Sequence, residues 1–98
     1  MKVEFHPDAQ RELAEAVAFY NREVSGLGVR FADEVERATT LIEENPEIGQ
    51  ALNKQLNRVV LRRFPFSLIY APQPQRIFFL AVAHQRRRPG YWRARVES

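Results

Sequence analysis

Apolar residues recur at three- and four-residue steps through the first half of the chain, and at alternate or consecutive positions through the second. Ala9, Leu13, Ala16, Val17 and Tyr20 line one face of a helix, with Arg11, Glu12, Glu15 and Arg22 directed elsewhere. Before it, Lys2-Val3-Glu4-Phe5 alternates as a short strand does, and His6-Pro7-Asp8 puts proline where a first helical turn accepts it. Ser25-Gly26-Leu27-Gly28 breaks the pattern and reverses the chain. A second stripe of Phe31, Val35, Ala38, Leu41 and Ile42 completes a helical hairpin, which Asn45-Pro46 stops.

Beyond a loop around Gly49 the side chains become β-branched, aromatic and basic. Arg58 to Arg63, Phe66 to Tyr70 and Arg76 to His84 read as three strands, with Pro65 and Pro72-Gln73-Pro74-Gln75 marking the turns. Ile77, Phe79 and Ala81 alternate with Phe78, Leu80 and Val82, so the last strand is apolar on both faces, as a covered central strand is. Arg58 and Arg62 fall on one face of the first of the three, which would present cations to solvent or a partner. The predicted architecture is α+β: a short N-terminal strand and a helical hairpin packed on a twisted antiparallel β-sheet, in the order β-α-α-β-β-β.

At 98 residues there is room for one core, so residues 1–98 form a single domain. Seven Phe, three Tyr and one Trp fill it without disulfides, and the absence of cysteine removes thiolate catalysis and iron–sulfur ligation. No run of apolar residues is long enough to span a membrane, and the expected location is the cytoplasm. The two histidines lie far apart and the carboxylates sit on helix faces, so neither metal nor cofactor is expected.

Charge is divided unevenly along the chain. Residues 1–49 carry eleven acids and five bases, residues 50–98 one acid and ten bases, so charges of −6 and +9 make up the net +3. That asymmetry suits an acidic partner at the C-terminal half. Its densest part is His84-Gln85-Arg86-Arg87-Arg88-Pro89-Gly90-Tyr91-Trp92-Arg93-Ala94-Arg95. Guanidinium groups there can grip phosphates or carboxylates, while Tyr91 and Trp92 either offer rings to a partner or fold back over an open face of the sheet.

Several segments together resemble the RelE/ParE superfamily of type II toxins, and more closely its ParE-like, plasmid-stabilisation branch. They are Phe5-His6-Pro7-Asp8-Ala9, Gly26-Leu27-Gly28 followed by Phe31, Glu44-Asn45-Pro46, Arg62-Arg63-Phe64-Pro65-Phe66, and Ala81-Val82-Ala83-His84-Gln85-Arg86-Arg87 leading to Tyr91-Trp92. The resemblance covers nearly the whole chain. It implies a cytoplasmic toxin neutralised by a cognate antitoxin, ParD-like or similar, with the possibility of a higher-order toxin–antitoxin assembly.

In the ParE-like branch such toxins inhibit a nucleic-acid enzyme such as DNA gyrase by binding. The alternative is the RelE-like branch, whose members cleave mRNA on the ribosome. The resemblance therefore allows either a binding toxin or an endoribonuclease. A nuclease needs a proton acceptor, a proton donor and cations around the phosphorus; the candidates are His84, Tyr91, Arg62 and Arg87, and His84 has a second reading as a histidine hydrogen-bonded at a strand end. Where RelE-like nucleases carry a phosphate-binding Arg in the penultimate strand, this chain has Ser67. For binding a target or antitoxin, the resemblance and the charge pattern point to Arg62, Arg63, Arg86, Arg87, Arg88, Tyr91 and Trp92.

Overall fold

Proline has no backbone N–H to donate, so it fits the first turn of a helix, where that donor would find no helical partner. In the computed structural model, which describes residues 2–97, helix α1 runs Pro7–Glu23 with Pro7 in its first turn. His6 caps it, its Nδ1 accepting from the Asp8 N–H at 3.0 Å. Gly26, at φ 85°, turns the chain into α2 (Leu27–Glu44). Gly28 lets the two helices close on each other: a Cβ there would stand 2.3 Å from the Val17 carbonyl oxygen, and Asn21 Oδ1 accepts the Gly28 N–H at 2.8 Å.

Five strands form one sheet: β1 (Lys2–Phe5), β2 (Gln50–Ala51), β3 (Asn57–Val60), β4 (Phe66–Pro72) and β5 (Arg76–His84), in the order β1-β5-β4-β3-β2. A short 3₁₀ helix (Arg93–Glu97) follows. The expected strand, hairpin and antiparallel strands are present, though Pro72, expected in a turn, ends β4, and the sheet's topology differs in two ways. A two-residue strand, β2, extends the far edge, and β1 pairs with β5 in parallel, Val3 opposite Ile77 and Phe5 opposite Phe79. Tight turns can join only antiparallel neighbours, whereas β1 reaches β5 after a long excursion through both helices.

The helices cover one face. Phe31, Val35 and Ile42 from α2 and Ala16 from α1 pack against Phe64, Phe66, Leu68, Tyr70, Ile77, Phe79 and Val82. Tyr20, Phe31, Phe64 and Phe66 form a ring cluster with centroids about 5–6 Å apart. The phenol of Tyr70, fully buried, donates to the Pro46 carbonyl at 2.8 Å and accepts from Gly49 N–H at 3.1 Å, tying the loop after α2 to the sheet.

The opposite face carries a second cluster of Leu56, Ile69, Ala71, Leu80, Ala81, Ala83 and Trp92. Leu80 and Ala81 are successive residues, yet both belong to it. Ile69 pairs with Ala81 and Tyr70 with Phe79, leaving Leu80 as the extra residue of a bulge. The phase of β5 therefore switches, and Val82 joins the helix-side core in place of the simple alternation expected. No helix among the described residues is long and apolar enough to cross a membrane.

Candidate functional site

β3 and β5 end, and β4 begins, at one end of the sheet: Val60 lies opposite Ser67, Ser67 opposite Ala83, and Phe66 opposite His84. The Gln85 N–H donates to the Pro65 carbonyl at 2.8 Å, so the turn carrying Arg62 and Arg63 is stitched to the turn carrying Arg86, Arg87 and Arg88. Cations far apart in sequence thus share one end of the molecule. All five are exposed.

Arg62 is not on a strand. The ladder ends at Val60, and Glu34 Oε2, from α2, accepts both the Arg62 N–H at 2.7 Å and the Arg63 N–H at 3.1 Å. A carboxylate gripping two successive peptide groups turns the chain away from the ladder, so Arg58 and Arg62 do not share a strand face.

His84 is half-buried at the end of β5, edge-on to Phe66 at 5.0 Å. Its Nδ1 accepts the Arg86 N–H at 3.0 Å, and its carbonyl accepts the Arg87 N–H at 3.0 Å. The imidazole therefore shapes the turn that carries the arginines.

Beyond Phe5 the neighbouring edge of β5 has no strand to pair with among the described residues, and side chains satisfy it instead. Glu12 Oε1 accepts the Val82 N–H at 3.0 Å, and Arg95 Nη1 donates to the Leu80 carbonyl at 3.0 Å. The two side chains also bind each other, Arg95 Nη1 and Nη2 each 2.9 Å from a Glu12 carboxylate oxygen, in a bidentate pair that is almost wholly buried. The Tyr91 hydroxyl donates to Glu12 Oε2 at 2.7 Å. Burial first, and then this bond to a carboxylate, push the Tyr91 phenol well above its ordinary pKa. The Arg95 guanidinium is raised too, chiefly by its bond to Glu12.

Tyr91 in turn carries Arg87, whose guanidinium carbon stands 3.9 Å from the ring centroid, with Arg95 5.1 Å from the same ring. Trp92, only 8% exposed, is core: it folds back over the sheet and offers no free ring. Glu12, expected on the solvent face of its helix, is the anchor of the whole C-terminal segment. One signal for it existed, since it sits three residues after buried Ala9 and four before buried Ala16.

Several depressions flank this end. On the helix-free face a cleft of about 520 Å³ is lined by Arg58, Ser67, His84, Arg87, Arg88 and Arg93, with Trp92 beside them. Between α2 and β3 a groove of about 640 Å³ has an apolar floor of Ala38, Leu41, Ile42, Ile48, Val59 and Val60. Leu41, Ile48 and Val60 are each about half exposed there, and Arg37, Arg62 and Arg63 stand around it with Glu34.

A family model described as "ParE toxin of type II toxin-antitoxin system, parDE" matches residues 3–89. No curated protein matches the chain in sequence. Among solved structures, one titled "Chromosomal ParDE TA system from P. aeruginosa" superposes with a TM-score of 0.74 at 14% identity, covering 86% of this chain and 95% of that one, which speaks for a shared fold. With a family match running from β1 through the arginine-bearing turn, the chain belongs to the ParE toxins of type II toxin–antitoxin systems.

Proposed function

We propose that this ParE-family toxin acts by binding rather than by cutting: its cationic sheet end engages and inhibits a nucleic-acid enzyme such as DNA gyrase in the cytoplasm. The observation that carries this reading is the employment of both proton-transfer candidates elsewhere. The Tyr91 hydroxyl is committed to Glu12, with its pKa displaced away from neutrality, and His84 Nδ1 is committed to a backbone N–H. A base whose accepting nitrogen is occupied, and a phenol that holds its proton more tightly than usual, are poor partners for RNA cleavage at neutral pH. Arg62, Arg63, Arg86, Arg87 and Arg88, exposed on two joined turns, are the contacts left for a target.

The antitoxin's place is the groove between α2 and β3. Half-exposed Leu41, Ile48 and Val60 suit the apolar side of a helix or strand, and Arg37, Arg62 and Arg63 suit acidic residues along its margin. Because Arg62 and Arg63 serve both surfaces, an antitoxin seated there would mask part of the target contact, and larger assemblies could be built on such pairs. The test is a gyrase supercoiling assay with purified toxin. Inhibition that survives His84→Gln and Tyr91→Phe but is lost in Arg86→Ala/Arg87→Ala is the expected pattern. Ribosome-dependent mRNA cleavage, abolished by His84→Gln, would overturn it.

A further inference from the structure

The cleft on the helix-free face is chemically unlike the groove. Its cations are Arg58, Arg87, Arg88 and Arg93, joined by His84, and no carboxylate is among the residues that line it. None of these four arginines has a carboxylate within ion-pair distance among the described residues, whereas Arg11, Arg76 and Arg95 all do. Like charges gathered without a counter-ion repel one another, and an anion relieves that repulsion.

Arg58 adds an independent sign. Its Nη2 is held by Gln50 Oε1 at 2.7 Å, while its Nε is buried and has no hydrogen-bond partner. A buried donor without an acceptor is an outstanding bond. Ser67 supplies a buried hydroxyl on the neighbouring strand, two residues along from the partner of Arg58. Two aromatics line the cleft: Trp92 has its ring packed into the core, and Tyr91 already carries the Arg87 guanidinium 3.9 Å from its ring centroid, so neither ring stands free as a platform for a base. What remains is recognition of charge by guanidinium groups and a hydroxyl.

We propose that this cleft is a phosphate-binding site, whose ligand is a phosphate group presented either by a nucleic-acid backbone or by a free nucleotide. Its size falls in the usual range for small-ligand sites. The geometry favours phosphate over carboxylate because several guanidinium groups can each donate in a fork to a group with three or four equivalent oxygens. The site does not depend on gyrase being the target, and binding at the cleft can be measured where gyrase is absent.

Two-dimensional amide NMR of the purified toxin, with Ser67, Ala83, His84 and Gly90 as reporters, follows three separate titrations: single-stranded oligothymidylate, ATP and inorganic phosphate. Saturable shifts confined to those amides are expected, with affinity falling as salt rises. Response to the oligonucleotide alone identifies a backbone ligand, and response to ATP or phosphate as well identifies a free phosphate. Arg58→Gln and Arg88→Gln should each weaken binding by roughly 10-fold, while Arg62→Gln/Arg63→Gln leaves it unchanged. Absence of shifts with all three ligands overturns the proposal. So does equal weakening by Arg62→Gln/Arg63→Gln, which would mark a diffuse field rather than a site. Gyrase inhibition lost without any change at the cleft would bear on the target and not on this site.

Discussion

Replacing Glu12 by alanine should be among the most damaging single changes in the molecule. The carboxylate accepts from Val82 N–H at 3.0 Å, the Tyr91 hydroxyl at 2.7 Å and Arg95 at 2.9 Å through two nitrogens. Its removal takes from Arg95, whose side chain is 11% exposed, the carboxylate that both of its terminal nitrogens grip. Asp8, 3.7 Å from Arg95 Nε, is too exposed to replace it. Truncating one member of a buried pair typically costs about 3–5 kcal/mol, a large share of the roughly 5–15 kcal/mol that holds a domain folded. For a chain of this length each kcal/mol lowers the melting temperature by about 4–8 °C, so the variant should melt at least about 12 °C below the parent. Circular dichroism melts and urea titrations measure this directly. Glu12→Gln, which keeps an acceptor for Tyr91, should lose less. Its effect should also fail to add to that of Arg95→Met, with a coupling of about 0.5–3 kcal/mol. A fall under about 4 °C for Glu12→Ala, the equivalent of about 1 kcal/mol, would show that the C-terminal segment is not held by this carboxylate.

Tyr91 should make stability depend on alkaline pH. Its folded pKa lies above its unfolded value of about 10, so the contribution is complete below pH 10 and is lost as pH rises beyond it; melts from pH 8 to 11 should show this decline, and Tyr91→Phe should reduce it. Gly28→Ala drives a Cβ into the Val17 carbonyl and should cost about 1–3 kcal/mol by urea titration. Leu41→Asp and Ile48→Asp put charge on the groove floor; each should weaken antitoxin capture by at least roughly 10-fold in a calorimetric titration, with little change in melting temperature because both side chains are already half exposed.

Elements governed by neighbours in sequence were legible in it. The helix stripes, the glycine and proline stops and the full extent of β5 all appear where three-, four- and two-residue spacing put them. Contacts between distant residues were not legible. The parallel register of β1 on β5 leaves no local mark, and the bulge at Leu80 looks like uninterrupted alternation until the partner strand is known. Glu12 reads as a solvated helix residue because the guanidinium that justifies its burial lies 83 positions later. Among the candidate residues, the arginines converge as their density suggested, joined by a hydrogen bond from the Gln85 N–H to the Pro65 carbonyl that no pattern announces. For Trp92, interface anchor and core cover are the same letters, and only the open face of the sheet decides between them.

Because the carboxylate of α1 meets its partners 79 and 83 positions further along the chain, the free edge of the central strand is fastened by contacts of very long range. A growing chain can build its helical hairpin from neighbours in sequence, yet that edge stays unlocked until positions 91 and 95 have been made and brought back. Closing so large a loop is slow beside local helix formation, so the edge should be among the last parts of the fold to set.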